Sequence, residues 1–355
     1  PDVAIQVHVL RKAGLDVREA ALMHLNKHHR HPDQGDRFVL DDVMEEVEAF
    51  LPEIPELIRE YQAILDGPDP GSCIGDQCAR MRECPLDPEC WPQEPDHIRR
   101  LFGVATKTAL KHMKKGVHEF GDLPEEAKVR EPARRQLEAW KQDRMLVEPG
   151  LAADLEPFRG RVGFLDFETV ARAIPMWEGM KPWQKVTVQF SYHERQPDGT
   201  YTHVEWLADG WEDPQPALAR ALVDATRGAE RVAMYTTFER DRIRDLVEAV
   251  PELAEELQDL AARLVDLKKV VQNNVAHPDF LGSYSIKDVL TPLVPDLSYD
   301  ALEVSGGMTA SVEIARLMRD GHEWEAEELA AKRAALLEYC RLDTWAMVRL
   351  VERLE

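Results

Sequence analysis

Two carboxylates one residue apart, at the end of an apolar run, are the feature that most constrains this chain. Asp166 and Glu168 lie in the run Gly163–Thr169, which reads Gly-Phe-Leu-Asp-Phe-Glu-Thr. Alternate side chains of a β-strand point to the same face, so both carboxylates would face one spot. Like charges held that close need a cation to neutralise them. The run therefore predicts a strand that carries a metal site.

A tyrosine and an aspartate near the C-terminus complete this pattern. Tyr339 and Asp343 are four residues apart, so they share one face if the segment is helical. Asp-x-Glu on a first strand plus Tyr-x-x-x-Asp on a late helix is how a two-metal nuclease site is assembled. Each motif alone is also common on a solvated loop or an ordinary helix surface. The predicted order of strand, hairpin, helix, strand and further helices favours the nuclease interpretation.

These residues resemble the DEDD exonucleases of the RNase H-like superfamily, in the subgroup with a tyrosine in the last motif. The resemblance covers the C-terminal part of the chain and implies an α/β fold, an RNase H-like mixed sheet with flanking helices. The catalytic residues that it implies are Asp166, Glu168, Glu239, Tyr339 and Asp343. Of these, Asp166, Glu168 and Asp343 would bind Mg²⁺ or Mn²⁺.

The middle acidic motif of that family corresponds to Val232–Glu239. Here Glu239 stands where aspartate is usual, and Thr236 stands where asparagine is common. Asp266 is the alternative third acid. The implied activity is metal-dependent 3′→5′ exonuclease action on nucleic acid, with DNA favoured and RNA as the alternative substrate. The alternative is a catalytically decayed nucleic-acid-binding or scaffold subunit of a DNA repair or defence complex.

Length and charge set outer bounds on the protein. A chain of 355 residues favours two or three domains. No apolar stretch approaches the length of a membrane span and no signal peptide is visible, which predicts a cytoplasmic protein. The first residue is Pro1 rather than methionine, so we expect the sequence to begin within a longer protein. The net charge of −22 does not exclude a nucleic-acid partner, because binding uses a local basic face.

Apolar spacing predicts helices over residues 3–30 and 41–66, then a segment rich in Pro, Gly and Cys. Alternating strands at 186–192 and 201–207 flank Pro197-Asp198-Gly199, which is typical of a hairpin. The predicted domains are a mainly α N-terminal module with a cysteine-cluster loop, a basic helical linker and the exonuclease-like domain, at residues 1–95, 96–155 and 156–355.

Four of the five cysteines lie in the Pro- and Gly-rich segment, as Cys73, Cys78, Cys84 and Cys90. Disulfides are disfavoured in a chain without a secretory signal. Only Cys73 and Cys78, with four residues between them, are as close as the cysteines of a zinc knuckle, and the other two gaps are of five residues. Iron–sulfur clusters tolerate such open spacing. The cluster predicts an iron–sulfur centre of the 4Fe–4S type, with zinc or no metal as the alternatives.

The cysteines followed by Trp91 resemble the cluster of RecB-like nucleases, including those associated with CRISPR adaptation. Residues Asp2–Leu10 resemble the helix with the Gln-x-x-x-Tyr motif of that family, with Gln6 in place and Leu10 where tyrosine is common. The Asp and Glu-x-Lys metal motifs of the family are absent from this sequence, so the first module would be a remnant. The whole arrangement resembles a bacterial family of unassigned function that fuses these two modules.

A basic stretch precedes Gly116 and resembles helix-hairpin phosphate binders. Lysines and backbone amides near a glycine turn can hold a phosphate of a nucleic-acid backbone. The lysines in this prediction are Lys107, Lys111, Lys114 and Lys115. Lys287 would contact a phosphate in the active-site cleft. The alternative for all of them is a solvated surface.

Overall fold

The chain forms two compact units. The computed structural model describes residues 1–32, 35–68, 71, 74–80, 84–299, 302–304 and 306–355. The N-terminal unit comprises residues 1–74 and 171–184, and the large unit comprises residues 75–170 and 185–355. Residues 171–184 therefore belong to the N-terminal unit, although they interrupt the sequence of the large one.

The described residues of the N-terminal unit form three α-helices and a β-hairpin. Its elements are α1 (Asp2–Lys12), β1 (Ala21–Leu25), β2 (Phe38–Asp42), α2 (Met44–Phe50) and α3 (Ile54–Asp66). Its small core is formed by the buried side chains of Ala4, Val7, Val47 and Ile54.

The hairpin of this unit corrects the expectation of helices throughout residues 3–30. Strands β1 and β2 pair antiparallel, with Ala21 opposite Asp42 and Leu25 opposite Phe38. Residues Ala21–Leu25 have helix-forming side chains, but local propensity is a weak prior that tertiary pairing overrides. The partner strand, which begins with Phe38-Val39, supplies the backbone hydrogen bonds that a helix would otherwise have made. The predicted helices at 41–66 are confirmed as α2 and α3, joined by the 3₁₀ turn Leu51–Glu53.

The large unit begins with short helices. They are α4 (Asp87–Cys90), α5 (Thr106–Met113), α6 (Ala133–Gln142) and α7 (Leu151–Asp154), with strand β3 (Leu146–Val147) before α7. Ile98, Leu101, Ala109, Phe120 and Ala133 form a core cluster among them. Strand β3 pairs antiparallel with Val275–Ala276, so this segment is tied to the C-terminal part of the unit.

A five-stranded mixed sheet is the centre of the large unit. Its strands are β4 (Val162–Ala171), β5 (Lys185–Arg195), β6 (Tyr201–Leu207), β7 (Arg231–Met234) and β8 (Leu264–Asp266), in the order β6-β5-β4-β7-β8. Strands β5 and β6 are antiparallel, whereas β7 is parallel to both β4 and β8. The predicted hairpin is confirmed, with Gly199 in the left-handed region at φ 82°. The predicted α/β class with a mixed sheet is confirmed.

Helices flank this sheet. Those after β6 are α8 (Gln215–Thr226), α9 (Phe238–Ala249), α10 (Ala254–Ala262), α11 (Leu267–Asn274), α12 (Ile286–Leu293), α13 (Gly307–Asp320) and α14 (Ala326–Leu354), with the two-residue strand β9 (Val275–Ala276) following α11. In the described part of the chain, no helix combines the length and the apolar character that crossing a bilayer requires.

The main core lies on one face of the sheet and explains which way the acids of β4 point. Leu165 and Phe167 of β4 are buried with Leu222 of α8 and Ile243 of α9. Because strand side chains alternate between faces, Asp166 and Glu168 point to the opposite face. Helix α14 contacts strand β5, and its buried residue Cys340 lies beside Asp166. Burial of the apolar face of β4 in the core thereby fixes the direction in which its acidic side chains point.

Close packing at the start of β4 supports a stability prediction. A Cβ atom at Gly163 would overlap the ring of buried Tyr192 on β5. We expect Gly163→Ala to lower the free energy of unfolding by about 1–3 kcal/mol, the usual cost of overpacking a core. Gly121→Ala is the matched control, because the nearest atom to a Cβ there is at 3.8 Å, on Trp140. Denaturant unfolding measures both, and equal losses would contradict the tight contact.

Candidate metal and active site

Strand β4 and helix α14 bring three carboxylates together. One carboxylate oxygen from each of Asp166, Glu168 and Asp343 lies within 4.8 Å of the other two. Asp166 and Glu168 share a face of β4, and Asp343 projects from the middle of α14. Glu168 is 8% exposed, while Asp166 and Asp343 are partly buried. Among the described residues, this is the one group of three or more metal-ligating side chains that converge so closely.

Glu239 lies next to this group, at the start of α9. Its side chain is 3% exposed and hydrogen-bonds to Asp166. The hydroxyl of Thr236 donates a long hydrogen bond of 3.4 Å to the Glu239 carboxylate. Asp266, the alternative third acid, instead caps α11 by accepting a hydrogen bond of 2.9 Å from the Lys269 amide. The structure thus places Glu239, and not Asp266, beside the carboxylates of β4 and α14.

Burial raises the pKa values of all four acids, and repulsion from neighbouring carboxylates adds to the rise for Asp166 and Glu168. Burial raises the pKa of Glu168 to about 8, with a further rise from the charge of Asp343 and a small opposing effect from Lys287. Burial also raises the pKa of Glu239 to about 7 and that of Asp343 above its usual range. For Asp166, burial is again the largest cause, followed by the charges of Asp343, Glu239 and Glu168. Four carboxyls that resist ionisation together form a site that a multivalent cation would stabilise.

Two tyrosines and a lysine surround Asp343. Tyr299 donates a hydrogen bond of 2.7 Å to Asp343 Oδ1, and the Tyr339 hydroxyl also hydrogen-bonds to that carboxylate. The Lys287 ammonium lies 4.7 Å from the ring centroid of Tyr299 and 5.3 Å from that of Tyr339. Both rings are nearly buried, at 9% and 4% exposure. Lys287 is therefore placed within the acidic site, where its charge lowers the pKa of Asp343.

The sequence analysis did not identify three residues that neighbour the acidic site. Tyr299 lies in a segment between helices without a recognisable motif, and Cys340 is a single buried cysteine. The Cys340 thiol lies 3.5 Å from Asp166 Oδ2, and burial raises the pKa of this thiol so that it stays a donor. Gly307 begins α13, and a Cβ there would lie 3.9 Å from the Glu168 carboxylate. The only sequence signal for Cys340 is its position one residue after Tyr339.

The predicted basic surface lies on and after α5. The side chains of Lys107, Lys111, Lys114 and Lys115 are all exposed. Gly116 has φ 82°, as a tight turn requires, and the 3₁₀ turn Phe120–Asp122 follows it. Lys114 forms an ion pair of 2.9 Å with Asp76.

The predicted cysteine cluster is partly described. Cys73 lies outside the described residues, and Cys78, Cys84 and Cys90 are unpaired and partly exposed. Within the described part of the chain these three sulfurs do not converge as the site carboxylates do.

The residues between the last cysteine and α5 are well anchored. Arg99 pairs with Asp87 at 2.7 Å, and its guanidinium lies 4.5 Å from the ring centroid of Trp91. Trp91 itself is 5% exposed.

Gln6, from the predicted RecB-like helix, is exposed on α1 and lies 3.5 Å from Asp2.

Comparison with known proteins gives one family match and one structural match. A family described as a domain of unknown function (DUF2779) matches residues 163–285, which include Asp166, Glu168 and Glu239. No curated protein matches the sequence significantly. Among solved structures, the family B DNA polymerase from the hyperthermophilic archaeon Pyrobaculum calidifontis aligns with 55% of this chain, at 16% identity and a TM-score of 0.38. The aligned part spans 24% of that polymerase chain.

The raised pKa of Glu168 predicts how stability depends on pH in metal-free protein. Its pKa rises from 4.5 to about 8 on folding, so the folded state holds a proton that the unfolded chain has released. Stability should therefore fall as the pH rises from about 4.5 to 8, on the order of a few kcal/mol. Glu168→Gln should reduce this fall, since its amide does not ionise. Thermal unfolding in EDTA at pH 6 and pH 8 measures the effect.

The exposed residue Glu248 offers the control for this prediction. Glu248→Gln should leave the pH dependence unchanged. Added Mn²⁺ should raise the unfolding temperature of the wild type at pH 8 more than that of Glu168→Gln. A pH dependence that is the same in wild type and Glu168→Gln would show that Glu168 is not held in its neutral form.

Proposed function

We propose that this protein is a metal-dependent 3′→5′ exonuclease that acts on DNA. The observation that carries the proposal is the convergence of Asp166, Glu168 and Asp343 within 4.8 Å, with Tyr339 and Lys287 beside them. Clustered, buried carboxylates are hard oxygen ligands of the kind that Mg²⁺ and Mn²⁺ prefer. The donor set therefore fits divalent cations of this class.

Each residue of the site has a distinct task in this proposal. Asp166, Glu168 and Asp343 would hold the cations, and Glu239 would supply a further carboxylate through its contact with Asp166. When bound, such cations lower the pKa of a water and stabilise the leaving 3′ oxygen of the phosphodiester.

Tyr339 would orient the attacking water. Its hydroxyl lies beside Asp343, and burial and the nearby carboxylates raise its pKa, so it remains a phenol that donates a hydrogen bond. Lys287 would face a non-bridging phosphate oxygen and balance the charge that builds up there.

The direct test is digestion of DNA and RNA strands labelled at the 5′ or the 3′ end, with Mn²⁺ and with EDTA. A 3′→5′ exonuclease shortens 5′-labelled strands stepwise and releases mononucleotides from 3′-labelled ones. Asp166→Ala should abolish the reaction and weaken Mn²⁺ binding. Asp224→Ala, which removes an exposed acid paired with Arg227, is the control and should keep full activity. Wild-type protein that binds Mn²⁺ but cleaves no strand would support the decayed, nucleic-acid-binding alternative.

The hydroxyl of Tyr339 separates catalysis from metal binding. Tyr339→Phe should keep Mn²⁺ affinity but slow hydrolysis by roughly 10²-fold or more, as expected for the loss of one orienting or proton-transfer group. Tyr284→Phe is the matched control, because it removes a buried hydroxyl that donates to the Val275 carbonyl. Single-turnover rates with saturating Mn²⁺ measure both variants. Equal rates for Tyr339→Phe and wild type would rule out the orienting role.

We further propose that the cysteine loop of the large unit holds an iron–sulfur cluster, with zinc as the alternative. In support, Cys78, Cys84 and Cys90 are unpaired, and the 3₁₀ turn that holds Cys78 contacts α5. A metal held by this loop would also stiffen the support of the basic surface on α5. The same proposal takes the N-terminal module to be the remnant of a RecB-like nuclease.

Colour and metal content test the cysteine proposal. Anaerobically purified protein should absorb broadly in the visible, and Cys84→Ser should lose most of that absorption. Cys340→Ser is the control, since Cys340 lies beside Asp166 and outside the loop. Colourless protein with stoichiometric zinc would establish the alternative, and stable metal-free protein would exclude both metals.

A further inference from the structure

The large unit contains a cavity that lies outside the acidic site. It has a volume of about 670 Å³ and is lined by residues of β5, β6 and α14 and by Ser298 and Leu302. Tyr299, which follows Ser298, hydrogen-bonds to Asp343 and so belongs to the acidic site. On α14, Arg341 and Trp345 line the cavity, whereas Asp343 lies between them in sequence and faces the carboxylates of β4. The same helix and loop therefore separate the cavity from the acidic site.

Stacked and edge-on rings line this cavity. His193 and His203 lie directly opposite each other on β5 and β6, with their rings stacked at a centroid distance of 4.3 Å. The Trp345 ring lies 5.3 Å from that of His193, and the Tyr201 ring meets Trp345 edge-on at 5.6 Å. Aromatic and imidazole rings are the surfaces on which proteins stack unpaired nucleobases.

The two histidines are neutral hydrogen-bonding groups. Burial lowers the pKa of His193 to about 3 and that of His203 to about 4. His193 Nδ1 lies 2.8 Å from the Thr344 hydroxyl, and His203 Nε2 lies 3.0 Å from the Ser191 hydroxyl. One nitrogen of each ring is therefore engaged within the protein, and of the two rings the partly exposed one is that of His203. A neutral, partly exposed ring of this kind suits contact with a base.

Arg341 supplies the positive charge of the cavity. Its side chain is exposed, and it forms no ion pair with a carboxylate of the described chain, although the protein carries a net charge of −22. By contrast, Arg349, two turns further along α14, pairs with Asp296 at 3.1 Å. Guanidinium groups bind phosphate through paired N–H donors. An arginine with no carboxylate partner among the described residues, beside aromatic rings, matches a ligand that joins a planar ring to an anion.

We propose that this cavity binds one nucleotide, with the base against the partly exposed rings of Tyr201, His203 and Trp345 and the phosphate on Arg341. Glu338 also lines the cavity and would weaken the binding of any anion, so contacts between the rings and a base must supply part of the affinity and inorganic phosphate alone is a poor fit. The volume falls within the range of small-molecule sites, roughly 300–1,000 Å³. The occupant is either a free mononucleotide or one nucleotide of a single strand. The inference does not depend on hydrolysis at the acidic site.

Calorimetric titration in EDTA tests this site while the metal-dependent reaction is off. A nucleoside 5′-monophosphate should bind wild type, and Arg341→Gln should weaken it roughly ten- to hundred-fold, the usual effect of losing a charged hydrogen bond. The corresponding nucleoside should bind weakly and equally to both proteins. Arg349→Gln is the matched control on the same helix and should bind like wild type. Arg341→Gln should also retain Mn²⁺ affinity, because it leaves the carboxylates in place.

A short single-stranded oligonucleotide distinguishes the two sources of the nucleotide. If the occupant is part of a strand, the oligonucleotide should bind more tightly than the monophosphate and lose the same factor in Arg341→Gln. If the occupant is a free mononucleotide, the oligonucleotide should not displace it. The proposal is overturned if neither probe binds at millimolar concentration, or if Arg341→Gln and Arg349→Gln weaken binding equally. Asp166→Ala should keep monophosphate binding, so failure of the nuclease proposal would leave this result intact.

Discussion

The repulsion among buried carboxylates between β4 and α14 is the constraint on which the site depends. Asp166, Glu168 and Asp343 converge within 4.8 Å, and burial raises the pKa of each. A folded chain that holds such groups together loses stability unless protons or cations neutralise them. The apolar face of the same sheet provides the opposing free energy, since Leu165 and Phe167 are buried in the main core. One strand thus bears the stabilising and the destabilising side chains on its two faces.

Helix α14 supplies side chains to both the acidic site and the cavity of the large unit. It contributes Asp343 and Tyr339 to the acidic site, and Arg341 and Trp345 to the cavity at β5 and β6. The buried Thr344 hydroxyl forms hydrogen bonds with the side chains of Ser191 and His193 on β5 and so fixes the helix against the sheet. Because both sets of side chains project from the same continuous helix, a small rotation of α14 would move both sets together. The fixed contact with β5 therefore defines both geometries.

Local periodicity explains which sequence predictions were confirmed. The strand that carries Asp166 and the hairpin around Gly199 follow from patterns within a few residues, and both are observed. The helix predicted across Ala21–Leu25 was wrong, because pairing with Phe38–Asp42 is a contact that local propensity does not reveal. Tyr299 also escaped prediction, because its place at the acidic site depends on a hydrogen bond to Asp343, which is 44 positions away.

The sequence by itself determined the alternation that puts Asp166 and Glu168 on one face of a strand, and the helical spacing that puts Tyr339 and Asp343 together. These follow from backbone geometry, which repeats every two residues in strands and every 3.6 in helices. Only the tertiary structure decided that Glu239 and not Asp266 lies beside Asp166, and that His193, His203 and Trp345 form one wall. Such choices depend on strand order and on the rotation of α14 over the sheet. Both are set by the packing of the whole core, and no short stretch of sequence encodes them.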